Sequence, residues 1–306
     1  MPNLKDIKNR ISSVESTKKI TRAMKMVAAA KVKKAENTVK ASRPFTTELN
    51  AMLAQLVHAA GDYSDAGLKI KHAIDNYPKL LEARGVNSVG LVVITSNKGL
   101  AGAYNANVIR RAVQKVQEYN DLGQKVVLFI LGQKGIAPLK RRTEKMNCEI
   151  ASTHLGIMNN PNGTASSLIT EDIAQYFVEG QIDKLEVVTT RFKNMMSYSV
   201  EEWCILPLSK QEEPTEKIDS IMEFYPNMPT VLQKVVPLYI TNIIYQSILE
   251  AQASELASRM TAMSAATTNA EKMIGDLSIL YNKSRQNAIT QELIEVVSGA
   301  NSQSQR

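Results

Sequence analysis

The chain has 306 residues, 44% of them hydrophobic, enough to bury a compact core and too apolar for a disordered segment. Its two cysteines, Cys148 and Cys204, lack the paired spacing of a zinc ribbon or a redox dithiol, and a reducing compartment is expected. The formal net charge of +7 is unevenly placed. Up to Arg43 there are twelve Lys and Arg against the three acids Asp6, Glu15 and Glu36, a local excess of +9, whereas from Met228 onward six bases balance six acids. A basic N-terminal segment implies an acidic partner or a polyanion.

The first predicted element is a helix over residues 1–60, rich in the good helix formers Ala and Lys. Leu4, Ile7, Ile11 and Val14 recur at heptad spacing. After a phase shift Ile20, Met24, Val27, Val32, Ala35 and Val39 continue the stripe. Pro44 is expected to kink or offset this helix, since it removes one intrahelical bond. Gly61, Asp62, Ser64, Asp65 and Gly67 end it. The start of the chain, Met1 to Asp6, has no apolar core for a signal peptide and carries an acid that disfavours a transit peptide.

A different rhythm occupies residues 76–208. Buried strands are predicted at Val86 to Ser96, Lys125 to Leu131 and Lys184 to Arg191, and an alternating edge strand or hairpin partner at Ser199 to Leu208. Helices are expected between them, near 101–120, after Gly132 and Gly135, and near 166–179. Strands alternating with helices predict a small open α/β domain. Residues 209–229 read as a linker, and helix resumes at about 230.

The last helix, 230–300, could run about 105 Å at about 1.5 Å per residue, longer than a compact domain needs. From Leu256 the steps of four and three reach Met260, Met263, Thr267, Ala270, Ile274, Leu277, Tyr281, Ser284 and Ala288 without a break. Four of these seam positions are small, so a partner helix can approach closely while gaining less from burial. Two helices with one apolar stripe each can satisfy one another, and the two ends of the chain are expected to pair as a shaft. The longest apolar run, Val235 to Leu249, contains Thr241, Asn242 and Gln246 and is too short to span a bilayer. A soluble chain, or one peripheral to a membrane, is expected, with a polar tail at 301–306.

Chemistry-bearing patterns are few. Thr95 to Gly102 lies between a strand and a helix, where a phosphate loop would sit, but Gly99 and Gly102 give only the end of a dinucleotide fingerprint. A tight turn that needs glycine for its backbone is the plainer reading, and the same holds for Gly132-Gln133-Lys134-Gly135. His58, His72 and His154 have no metal-ligand spacing. No nucleophile elbow or Cys-His pair is visible, so no catalytic residue, cofactor or metal site is assigned. The basic helix can be a solvated face, a dock for acidic protein loops, or a DNA-reading region. Against the last, Ala28-Ala29-Ala30 and Met24-Lys25-Met26 dilute the charge. Met24, Met26, Met260 and Met263 read as seam packing.

Taken together the residues resemble the gamma subunit of F-type ATP synthase. The likeness is densest in Lys18 to Lys31, Arg259 to Met263, Tyr281 to Gln286 and Ile289 to Glu295 with Gly299-Ala300. In the turn after the first strand Asn97 stands where that family usually has Asp, and Ala101 where it frequently has Cys. The resemblance implies an antiparallel coiled coil of N- and C-terminal helices with a Rossmann-like α/β domain between them. It implies a non-catalytic central-stalk rotor that couples ion flow through a ring of c subunits to ATP synthesis and hydrolysis in a hexamer of alpha and beta subunits. Carried over by position, Met24, Lys25, Arg285 and Gln286 would meet the catalytic hexamer, and Phe224 and Tyr225 the c ring and the epsilon subunit. It further implies a place peripheral to the membrane, on the cytoplasmic face of a bacterial inner membrane or, less readily, in a mitochondrion. The long dithiol insertion of the chloroplast type is missing after Leu208. Two other readings stand beside it: a nucleotide-binding α/β enzyme with helical oligomerisation arms, and a coiled-coil nucleic-acid binder, whose affinity would fall steeply with salt.

Overall fold

The computed structural model describes residues 4–60, 73–208, 225 and 227–304. Two long helices, α1 (Leu4–Ala60) and α6 (Met228–Ser304), bracket an α/β region. Between them run α2 (Tyr77–Leu81), β1 (Ser88–Ile94), α3 (Tyr104–Asp121), β2 (Lys125–Leu131) and α4 (Gln133–Thr143). They are followed by β3 (Cys148–His154), α5 (Gly163–Val178), β4 (Lys184–Asn194) and β5 (Ser197–Leu206). The chain divides into two compact units, one of Ala30–Ser258 and one of Met1–Ala29 with Arg259–Arg306.

In the larger unit the five strands lie in the order β3-β2-β1-β4-β5. All neighbours are parallel except β4 and β5, which form an antiparallel hairpin. β1 and β2 read as continuous apolar runs because both faces are covered, the pattern of a doubly wound sheet. One face packs α3 and α4 through Tyr104, Val108, Val116 and Leu139. The other packs α5 and the helices α1 and α6 through Phe177, Leu49, Leu53, Leu232, Ile240 and Ile248. β3 was not expected from the sequence. It is an edge strand with polar residues at both kinds of position, so it carries neither a buried run nor a clean alternation.

Helix α1 continues through Pro44 and α6 through Pro237. The two are antiparallel in the larger unit, where Asn242 donates to Thr46 at 2.9 Å and Ser42 donates to Gln246 at 2.5 Å. Val32, Ala35 and Val39 pack there against Leu249, Ala253 and Leu256. They are antiparallel in the smaller unit too. Thr267 donates to Thr21 at 2.9 Å, Lys18 and Glu271 pair at 3.0 Å, and Ile7 and Arg10 share a shallow cavity of about 370 Å³ with Leu277 and Leu280.

The seam of α6 is the one its sequence indicates: Leu256, Met263 and Ala270 are buried, and Met260, Thr267, Ile274, Leu277, Tyr281, Ser284 and Ala288 are half-buried. The seam of α1 needs a correction. Ile20 and Val27 are 60% and 56% exposed, while Thr21 and Ala28 are buried. No phase shift occurs; the three-four rhythm from Leu4 passes through Lys18, Thr21 and Ala28 to Val32. A search for apolar residues steps aside at this place because the seam uses a hydroxyl and a methyl, which permit close approach and, at Thr21, a side-chain bond across it.

That register predicts opposite outcomes at adjacent positions. Ala28→Glu, which buries a carboxylate in the seam, should cost about 3 kcal/mol or more, whereas Val27→Glu should stay within about 0.5 kcal/mol. Chemical denaturation of the two variants checks it, and equal losses would restore the phase-shifted seam.

Candidate functional site

In a doubly wound sheet a ligand site forms beyond the carboxyl ends of the strands where the order reverses. Here that place lies between β1 and β4, and the β1–α3 turn of residues 95–103 borders it. Its first two N–H groups are taken by the protein. Thr95 N–H donates to Leu131 O at 2.7 Å, and Ser96 N–H to Asn105 Oδ1 at 2.9 Å. The first-turn N–H groups of α4, which could face an anion, donate instead to Asn97 Oδ1 from Gln133 at 3.2 Å and to Ser96 O from Lys134 at 3.0 Å.

The glycines of these turns have packing duties. Gly132 has φ 92°, and a Cβ there would lie 2.0 Å from Thr95 O; a Cβ on Gly135 would lie 2.8 Å from Thr95 Oγ1. Gly102 and Leu100 adopt positive φ of 54° and 64°. The turn reading is therefore the right one for both glycine motifs.

The crevice itself is occupied by α6. Ser258 Oγ donates to the carbonyl of Ala101 at 2.7 Å, and Thr189 Oγ1 of β4 donates to Ser247 O at 3.0 Å. Tyr104, fully buried beneath the turn, donates to Ile94 O at 3.3 Å, and burial holds its hydroxyl well above the usual phenol range. Helix packing thus fills the position that a dinucleotide takes in enzymes of this topology.

Other reactive groups are inert or scattered. Burial pushes the Cys148 thiol up to about 11, which leaves little thiolate at neutral pH. The Cys204 thiol is raised as well, by desolvation against the pull of Lys184. His154 shares its Nε2 between Ser152 and Asp172, each at 3.1 Å. His58 lies in α1, and His72 lies outside the described residues. Among the described residues no group of three or more His, Cys, Asp or Glu could hold a metal ion. On the hairpin side, Arg111 and Lys115 of α3 bind Glu202 of β5. Burial works to raise that carboxyl, but the two cations outweigh it and hold it low.

What the molecule presents is therefore surface, and it is richest on the smaller unit. Lys8, Arg10, Lys19, Arg22 and Lys25 are exposed on α1. Met24 is half-buried at the seam beside exposed Lys25, and Arg285 and Gln286 are exposed on α6. Since Thr21 pairs with Thr267, Gln286 lies about 28 Å further along α6, so the two expected contact regions stand at different levels and do not form one site. Tyr225 is 96% exposed, and Phe224 lies outside the described residues.

A further feature escaped the sequence reading. Beyond Ala288 no described position of α6 is buried, and Ile289, Leu293, Ile294, Val296 and Val297 are exposed. Such a run is costly in water and marks an interaction surface. Its signal was available, because apolar residues continue past Ala288 in the sequence.

A family model described as ATP synthase matches residues 3–302. The chain is 39% identical to an ATP synthase gamma chain of Gloeobacter violaceus, over 98% of this chain and 100% of that one. The gamma chains of Xanthomonas campestris and Synechocystis are 38% and 37% identical, over 97% and 99% of this chain and 98% and 100% of theirs.

The chain belongs to the ATP synthase gamma-chain family.

Its role is that of a stalk subunit of that complex and not of a catalytic one, and the nucleotide-enzyme alternative is not favoured. Solved structures share the fold. A chain from the central stalk and c ring of Tetrahymena thermophila mitochondrial ATP synthase matches with TM-score 0.58 and 23% identity, over 81% of this chain and 99% of that one. A chain from the Euglena gracilis enzyme matches with TM-score 0.66 and 16% identity, over 98% and 94%. As an ATP synthase subunit the gamma chain is peripheral, and among the described residues no helix is long and apolar enough to cross a membrane.

Two outcomes are expected. Calorimetric titration of the gamma chain with ATP, ADP and NAD should give no saturable heat at millimolar ligand, and stoichiometric binding would reopen the crevice as a site. Gly132→Ala should destabilise the fold by about 2–4 kcal/mol, because strain and the clash with Thr95 add; an unchanged melting temperature would refute that reading of the turn.

Proposed function

We propose that this gamma chain is the rotor of a bacterial ATP synthase, turning inside an alpha/beta hexamer while a ring of c subunits and the epsilon subunit hold its base. The observation that carries this is the exposed apolar end of α6, Ile289 to Val297. The apolar side chains of this stretch, which flank Glu292 and Glu295, can turn against an apolar collar without breaking directional bonds, since the hydrophobic effect has no preferred angle. Below it, exposed Lys25 and the bases around it suit attraction to acidic loops of the hexamer, a pull that salt would weaken. Met24, flexible and at the seam, suits a contact that changes as the shaft turns.

Arg285 and Gln286 would engage the catalytic subunits near the tip, where a guanidinium can grip a carboxylate or carbonyl in one angular position. Exposed Tyr225, with Phe224, would belong to the foot beside the c ring and epsilon. Kinship with bacterial gamma chains supports a place on the cytoplasmic face of a bacterial inner membrane. Torque would reach the beta subunits through the asymmetry of a two-helix shaft, and the chain itself would hold no nucleotide.

Reconstitution tests the reading. The purified chain mixed with alpha and beta subunits should yield one copy per hexamer with ATP hydrolysis, and a chain ending before Tyr281 should lose turnover; no association would refute the rotor. Within the assembled enzyme Arg285→Ala should lower ATP synthesis and ATP-driven pumping by about tenfold, the loss of one charge-assisted hydrogen bond. It should leave folding stability within about 0.5 kcal/mol, because the side chain is exposed. Full synthesis by that variant would remove Arg285 from the contact.

A further inference from the structure

Strand β4 is longer than its parallel neighbour. β1 pairs with β4 from Val89↔Lys184 to Val93↔Val188, while β4 continues to Asn194. Past Val188 the side of β4 that faced β1 no longer has a strand beside it, and side chains of the two long helices take the missing strand's place. The Phe192 N–H donates to Glu250 Oε2 at 2.8 Å, and the Phe192 carbonyl accepts from Arg43 Nη2 at 2.6 Å. Arg43 also grips Glu250 with both arms of its fork, Nε to Oε1 at 2.7 Å and Nη2 to Oε2 at 2.9 Å. Gln246 Nε2 donates to Glu250 Oε1 at 3.1 Å. The Glu250 side chain is 1% exposed and that of Arg43 33%. Arg43 of α1, Glu250 of α6 and the backbone N–H and C=O of Phe192 thus close a ring of charge-assisted bonds, buried at Glu250 and Phe192 and partly exposed at Arg43.

A buried pair of this kind is a poor device for stability, because desolvation offsets much of the attraction. It is a good device for fixing geometry. The packing around it, Phe192 against Val39, Leu249 and Ala253, resists separation, but apolar contact has little directional preference. The ring does have direction. A carboxylate about 5–6 Å from its helix axis moves about 2 Å when that helix turns by about 20°, which takes it beyond hydrogen-bond reach of the Phe192 amide. Water cannot readily enter to replace the bond.

We infer that Arg43 and Glu250 form the torsional joint between the sheet and the paired helices, the point at which rotation of the α/β region is converted into rotation of the shaft. The inference rests on the rotor reading above. Both are positioning residues: they touch no nucleotide and no ion, and they act by fixing the angle of α1 and α6 against β4.

The test uses the whole enzyme in vesicles, reading ATP hydrolysis and the protons pumped per ATP, with thermal unfolding of each chain alongside. Arg43→Met combined with Glu250→Met keeps the site filled and apolar, a replacement that buried pairs commonly tolerate. Hydrolysis is expected to persist while pumping per ATP falls at least about fivefold, an ordinary size for a lost coupling. Arg43→Lys, which keeps the charge and loses the fork, should fall between wild type and the double variant. Leu53→Ala, a cavity in the same unit remote from the ring, should lower the melting temperature and leave the pumping ratio alone. A double variant that folds, assembles and pumps at the wild-type ratio overturns the joint. If it does not assemble, Arg43→Lys decides in the same way. Failure of the wild-type chain to assemble or pump would refute the rotor reading instead, and so is distinguishable.

Discussion

The structure depends on one constraint: a long helix with a single apolar stripe cannot remain bare in water, and each of the two long helices of this chain is the other's cover. Within the smaller unit neither α1 nor α6 has the all-round apolarity of a buried helix. There each buries one row of residues and leaves most of the rest wet, whereas from Tyr239 to Ala257 α6 has no exposed residue because the sheet covers it as well. Small side chains in that row, Ala28 and Thr21 on one helix and Ala270 and Thr267 on the other, let the two backbones approach closely. The cost is modest hydrophobic gain per residue, and length makes it up.

The same pairing explains why an α/β region with enzyme-like topology works here as a stalk component. Crevices at the carboxyl ends of parallel strands are binding sites when they are open. In this chain the crevice receives α6, with Ser258 bonded to Ala101 and Ser247 to Thr189. A surface that would recognise a ligand recognises a helix. The helices enter the sheet's own hydrogen bonding at Phe192, where Arg43 and Glu250 serve as a substitute strand. Buried polar groups on α6 follow from this. Asn242, Gln246 and Glu250 recur every four residues, interrupt an otherwise apolar run, and each meets α1 or its own neighbour.

Much of the fold was legible because periodicity reports burial directly. The unbroken steps from Leu256 to Ala288 give the α6 seam residue for residue, and the continuous apolar runs of β1 and β2 give strands covered on both faces. Legibility failed where the structure uses side chains whose burial is not written in their polarity. Thr21 and Ala28 hold the α1 seam while the more apolar Ile20 and Val27 face out. β3 hid because an edge strand needs no apolar face of its own.

By itself the sequence determined the two helical stripes, the alternating strands between them and the family to which they belong. It also determined that the chemistry-bearing motifs are incomplete. Which residues meet was decided by tertiary structure alone. That Glu250 on α6 closes on Arg43 and on the backbone of β4, that the Thr95 amide is spent on Leu131, and that Ile289 to Val297 are exposed all depend on distances between segments far apart in the chain. Local propensity and period carry information along a helix or a strand, but where a strand ends beside its neighbour is a property of the packed whole.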